Sequence, residues 1–162
     1  MPTSHHAPQI RDATMDDVRT IVDFNRRLAR ESENKELDVA VLTLGVERAI
    51  SQPAYCRYFI AEVAGEVVGQ TMITYEWSDW RNGVLWWIQS VYVVEPFRGR
   101  GVFRALHQHI HTLAQANSNV RGLRLYVEHQ NEAALATYRK LGMTPSGHLV
   151  YEQDWSGAVK EA

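Results

Sequence analysis

The feature that most constrains this chain is the order of three segments in its middle. Residues 84–94, VLWWIQSVYVV, are apolar almost without interruption, as a strand buried on both faces must be. The next seven residues, EPFRGRG, break that pattern with a proline and two glycines. Beyond them Phe103, Leu106, Ile110, Leu113 and Ala114 recur at helical spacing. Strand, glycine-bearing loop and amphipathic helix in immediate succession demand a sheet with a helix packed on its face.

The flanking segments build the rest of that sheet. Residues 9–13 read as a first strand, and Thr14 or Asp16 caps a helix that carries Val18, Ile21, Val22 and Leu28 and ends near Arg30. A polar loop over 31–36 leads to Asp38, the expected cap of a second helix through Val46 and Ile50 that stops before Pro53. Residues 55–63 and 67–76 are β-branched and aromatic, and Ala64, Gly65 and Glu66 between them predict a hairpin. Residues 78–83 are a second turn, in which Trp77 and Trp80 are expected. Downstream, 123–127 resumes as a strand, 131–141 as a helix stopped by Gly142, and 149–153 as a last strand. The pattern predicts an α+β fold: a single central mixed, mostly antiparallel sheet flanked by helices. Residues 9–155 form one domain, with tails at 1–8 and 156–162, a size suited to one core.

Charge and cysteine content exclude several functions. Seventeen basic against nineteen acidic residues give a net charge of −2, which provides no general field for nucleic acid. No apolar run is long enough to span a bilayer and the N-terminus lacks a signal-peptide pattern, so no membrane partner and a cytoplasmic address are expected. Cys56 is the only cysteine, which rules out an intrachain disulfide and a multi-thiolate zinc site. His107 and His111 lie one helical turn apart without a third ligand beside them, so no metal is expected.

Fourteen of the seventeen basic residues are arginine, and Arg98, Arg100 and Arg104 fall within seven positions. Guanidinium forks suit phosphate oxygens. Gly99 and Gly101 allow conformations in which successive amides converge on one concavity at a helix start, where the helix dipole also favours an anion. The loop is neither a P-loop nor a dinucleotide-binding turn, because the required lysine and the third glycine are missing.

The run Val91-Tyr92-Val93 through Gly101-Val102, together with Asn131-Glu132-Ala133-Ala134 through Tyr138-Arg139-Lys140-Leu141-Gly142-Met143, resembles the Gcn5-related N-acetyltransferase family. The resemblance covers roughly residues 55–152 in order of elements and implies that fold, with acetyl-coenzyme A as cosubstrate. It assigns the pyrophosphate to the loop residues Arg98, Gly99, Arg100, Gly101, Val102, Phe103 and Arg104, and the pantetheine and acetyl carbonyl to Val91 and Val93. It gives Asn131 a contact with the cofactor arm and makes Tyr138 the acid that protonates the departing thiolate. Two departures stand out. Phe103 replaces the small residue that usually closes the loop, and its ring is expected to turn into the core. Gln89 stands where many relatives carry a carboxylate base.

An amine must lose a proton before it attacks a thioester, and the leaving sulfur gains from one, so one base and one acid suffice. Glu76 is the first choice of base. The resemblance places the 31–36 loop over the acceptor, so Glu31, Glu33, Trp77, Asp79, Trp80 and Gln89 are expected around a small-molecule amine. Four of the five tryptophans fall within residues 77–87, and those in the turn serve either as an acceptor wall or as a homodimer contact. The alternatives are a coenzyme A-binding module without catalysis, acetylation of a protein amine, and a nucleic-acid role for the arginines that the net charge disfavours.

Overall fold

The computed structural model describes residues 6–156, which divide after Tyr126 into two compact units. In the first unit β1 (Gln9–Asp12), α1 (Val18–Glu33) and α2 (Val39–Ser51) precede a long meander of β2 (Cys56–Val63), β3 (Glu66–Ser78) and β4 (Gly83–Val93). After it come α3 (Val102–Ala116) and β5 (Val120–Leu125). The strands lie in the order β1-β2-β3-β4-β5, antiparallel except for the parallel pair β4–β5. This is the mixed, mostly antiparallel sheet that the sequence predicts.

Local chemistry explains the boundaries. Ala64 and Gly65 both take positive φ, 52° and 82°, the two-residue turn whose twist matches a hairpin. The Asp38 carboxylate accepts the amide of Val41 at 3.0 Å and starts α2. At its other end α1 continues a turn past Arg30 and is stopped by Asn34 in the left-handed region, so Glu31 and Glu33 belong to the helix and not to the polar loop. β3 runs to Ser78 with Trp77 paired opposite Val84, so Trp77 is a strand residue and Trp80 alone of the two is in the turn.

The sheet separates two apolar layers. Phe59, Ala61, Val68, Ile73, Trp86 and Ile88 pack against Val102, Leu106, Ile110 and Ala114 of α3. On the opposite face Tyr58 and Ile60 meet Ile21 and Val22 of α1 and Val46 of α2. Leu106 and Ile110 are fully buried, each contributing about 1.5–3 kcal/mol, which fixes the start of α3 against the sheet. Phe103 lies one step round from this stripe, half-buried, its ring 6.2 Å from that of His107; the core position expected of it is taken by Val102. Asp17 is buried at the entry to α1 and is held by both Arg11 terminal nitrogens (2.8 and 2.9 Å) and the Thr14 amide (2.7 Å).

One irregularity matters for function. The β3–β4 register passes from Met72 opposite Gln89 to Gln70 opposite Tyr92, and Ser90 takes φ 52°. Ser90 and Val91 together face Thr71, a bulge that places Gln89 and Tyr92 on the same face of the sheet.

The second unit holds α4 (Glu132–Lys140), capped by Asn131, whose side-chain oxygen accepts the Ala134 amide at 3.1 Å, and closed by Gly142 at φ 82°. The strand expected at 149–153 is not formed. Leu149, Val150 and Tyr151 are 70, 67 and 91% exposed, and among the described residues the segment joins no sheet, without which its backbone groups gain nothing from extension. No helix of the described residues is long and apolar enough to cross a membrane.

Candidate active site

The glycine loop leads into α3 as the sequence predicts. Gly99 and Gly101 have φ of 72° and 83°, and Gly101 is the N-cap residue, so no side chain caps the helix. The first helical bond there joins the Ala105 amide to the Gly101 carbonyl at 2.9 Å. The amides of Val102 and Arg104 therefore have no intrahelical acceptor. A methyl group added at Gly99 or Gly101 would meet no atom within 4 Å, so the concavity is open and fits an anionic group. Arg100, whose guanidinium lies over the Phe97 ring at 5.5 Å, and Arg104 are exposed beside it.

Arg98 is differently employed. Its Nε donates to the Val93 carbonyl at 2.8 Å, its Nη2 meets Glu31 Oε2 at 2.5 Å, and its guanidinium lies over the Tyr92 ring. The Tyr92 hydroxyl donates to the other Glu31 oxygen at 2.8 Å. Burial raises the Glu31 pKa, but the hydrogen bonds from Tyr92 and Arg98 outweigh it and hold the carboxyl below its ordinary value. Glu31 thus ties the last turn of α1 to the glycine loop.

Next to the loop, β4 loses a neighbour. It pairs with β5 only from Val84 opposite Val120 to Ile88 opposite Leu125, while it stays paired with β3 as far as Val93. Among the described residues, 89–93 therefore have no strand partner on that side and present an open edge, and Val91 and Val93 are on it. The bulge at this point is held from below: Gln70 Nε2 donates to the Ser90 carbonyl (3.2 Å) and to Asn25 Oδ1 (2.9 Å), and Asn25 donates to the Tyr58 hydroxyl (3.1 Å). Gln70 is fully buried and Asn25 8% exposed. The sequence reading passed over these residues; the available signal was an amide side chain set in the apolar run of β3.

Beyond the parting, one face of β3, β4 and β5 carries a second cluster. Gln89 donates to Thr74 Oγ1 at 2.7 Å. Glu76 Oε2 accepts from Trp87 Nε1 (2.8 Å) and from Arg124 Nη1 (2.9 Å). The Arg124 guanidinium lies over Trp87, whose other neighbour is the Tyr126 ring at 4.5 Å. Arg124 was not foreseen, although a charge between Leu123 and Leu125 in a strand was the sign of it. The other expected acceptor residues are dispersed. Glu33 pairs with Lys35 at 2.6 Å, Asp79 accepts the Trp80 amide at 2.9 Å, and Trp77 and Trp80 are 64 and 92% exposed. In the second unit Tyr138 is half-buried, and burial pushes its phenol up. Among the described residues no three metal-ligating side chains gather, and His107 and His111 stack at 6.2 Å.

Proteins of known structure share this architecture. A possible acetyltransferase from Clostridium difficile 630 is 46% identical, with a TM-score of 0.84 over 91% of this chain and 97% of that one. A predicted acetyltransferase from Clostridium acetobutylicum, solved with acetyl-CoA, is 18% identical with a TM-score of 0.73, covering 92% and 97% of the two chains, and shares the fold. The mycothiol acetyltransferase of Corynebacterium efficiens is 33% identical over 86 residues, 52% of this chain, and the match spans only 29% of that relative's length. Residues 19–143 match the model of the acetyltransferase (GNAT) family, a span that runs from α1 through the glycine loop to the end of α4, and the chain belongs to that family.

Proposed function

We propose that this protein transfers an acetyl group from acetyl-coenzyme A to a primary amine of a small molecule, by direct attack in a ternary complex. The observation that carries the reading is the adjacency of the uncapped α3 N-terminus and the open 89–93 edge of β4. One supplies amides and arginines for phosphate, and the other supplies backbone groups for an amide-bearing arm and an acyl carbonyl.

Acetyl-coenzyme A supplies the acetyl group as a thioester. In this reading the Val102, Phe103 and Arg104 amides, with Arg100 and Arg104, hold its phosphates, and Val91 and Val93 lie along the edge that takes the arm, the Val93 carbonyl being already engaged by Arg98 Nε. Asn131 contacts the same arm. Gln70 and Asn25 hold the bulge that aims this edge. Tyr138, a phenol protonated at neutral pH and pushed further up by burial, donates its proton to the sulfur as the carbon–sulfur bond breaks. The acceptor nitrogen must lose a proton as it bonds to the acyl carbon. Glu76 takes that proton through water on Oε1, since Oε2 is engaged by Trp87 and Arg124. No step requires a metal.

A second reading, a coenzyme A-binding module without catalysis, draws on Gln89, an amide bonded to Thr74 at the strand position where a carboxylate would serve as base. Release of free thiol from acetyl-coenzyme A against a panel of amines separates the two. Amine-dependent release supports transfer; tight cofactor binding with no release above hydrolysis supports the module.

A further inference from the structure

We propose that Arg124 is the anion-binding residue of the acceptor site, so that the acceptor is an amino acid in the broad sense: a carboxylate joined by several atoms to the amine that is acetylated. The proposal deepens the transferase reading above and rests on it.

Four observations carry it. First, Arg124 lies on the catalytic side of the sheet. Its neighbours Leu123 and Leu125 pack into the α3 core, so alternation turns Arg124 to the opposite face, where Gln89, Trp87 and Glu76 are found. Second, it is opposite Trp87, one residue before the β4–β5 pairing ends at Ile88–Leu125, and thus at the mouth of the open edge. Third, most of its fork is unused. Nη1 meets Glu76, and the other nitrogens have no hydrogen-bond partner among the described residues. Its side chain is 26% exposed, enough for a solute to reach it and little enough that water screens the contact weakly. Fourth, the ring of Trp87 beneath the guanidinium, itself packed on Tyr126, and the bond to Glu76 hold the fork in place, which lowers the entropic cost of binding a carboxylate.

The geometry also sets the length of the acceptor. Arg124 is opposite Trp87, whereas the edge that would receive the acyl carbonyl is at Ser90 and Val91, three to four residues further along β4. At about 3.3 Å per residue this is roughly 10 Å. The guanidinium bonds to Glu76, which is paired with Leu85, and so leans further from the edge. An α-amino group next to its carboxylate does not bridge that distance, whereas the terminal amine of a lysine-like or ω-amino acid does.

The test uses the full chain with matched acceptors: lysine against cadaverine, and 6-aminohexanoate against hexylamine. The expected result is a kcat/KM for the carboxylate-bearing member at least about tenfold higher, with acetyl found on the terminal nitrogen of lysine. In Arg124→Gln, which also releases Glu76 Oε2 from the guanidinium and so changes the rate with every amine, the lysine-to-cadaverine ratio falls to about one. Arg124→Lys, which preserves the charge without the fork, gives an intermediate ratio. A ratio of one in the parent, or a preference that survives Arg124→Gln, overturns the proposal. Acetyl on the α-nitrogen overturns the length argument. Binding of lysine and cadaverine to the coenzyme A-loaded protein is measured in parallel by calorimetry. If no amine is acetylated, the transferase reading is lost; lysine binding that depends on Arg124 still upholds the anion site, and equal binding by both compounds removes it.

Discussion

Replacing Gly101 by alanine isolates the anion concavity from the stability of the fold. Gly101 is at φ 83°, a left-handed conformation that costs an L-residue about 1–2 kcal/mol. A methyl group there meets no protein atom within 4 Å, so backbone strain is the whole cost to the folded chain, and a domain of ordinary stability survives it. Gly65, in the β2–β3 turn, has φ 82° and equally open surroundings, so Gly65→Ala carries the same strain far along the sequence from the loop. The two variants should therefore lose similar amounts in Tm. Their cofactor affinities should differ widely. A phosphate seated on the amides of Val102, Phe103 and Arg104 gains charge-assisted hydrogen bonds worth about 1.5–3 kcal/mol each. Displacing two of them costs at least about 3 kcal/mol, or a Kd raised about a hundredfold. Calorimetric titration with coenzyme A, alongside thermal melts of both variants, reads the two effects separately. If Gly101→Ala binds within about threefold of Gly65→Ala, the phosphate is held elsewhere and the argument from the uncapped helix fails.

Tyr138→Phe keeps the ring and removes the proton donor, so kcat should fall about a hundredfold with cofactor affinity unchanged; an unchanged kcat at neutral pH removes Tyr138 as the acid. Glu31→Gln breaks an ion pair whose side chains are 46 and 45% exposed, so unfolding experiments should show a loss below about 1 kcal/mol. Removing that carboxylate from beside the loop should also tighten coenzyme A binding a few-fold at low salt, an effect that a salt titration should erase. Asp17 is held below its ordinary 3.8 by the Arg11 hydrogen bonds, so its contribution is complete above that value and is lost as pH falls through the lowered one. Asp17→Asn should cost roughly 1–3 kcal/mol at neutral pH and flatten the acid limb of a Tm–pH profile.

The parts of the fold that were legible in the sequence are those with a local cause. The Ala64-Gly65 turn, the Asp38 cap, the two glycines before α3 and the α3 stripe each follow from residues within a few positions of one another. What was not legible depends on partners distant in the chain. Nothing in the polar residues after Arg30 reveals that Glu31 is bound by Tyr92 and Arg98, a contact that makes it a brace for the loop. The bulge at Ser90 shifts the parity of β4, so alternation counted from Trp86 assigns Tyr92 to the wrong face. Phe103 fits a helical stripe as well as Val102 does on spacing alone, and only the tilt of α3 on the sheet chooses between them. The segment at 149–153 has strand composition but joins no sheet among the described residues.

The parallel junction between β4 and β5 has a consequence for the order of events during folding. β2, β3 and β4 are joined by turns of a few residues and close with little loss of chain entropy, while β5 reaches β4 only after the whole of α3 has been laid down. That late, non-local closure is what fixes the glycine loop at the start of α3 beside the end of β4 that β5 leaves unpaired. On the proposed reading, a partly folded chain that has only its meander lacks the loop half of the cofactor site. Ligand binding therefore draws only on the population in which the crossover is complete, and it stabilises the one step of assembly that the turns cannot drive.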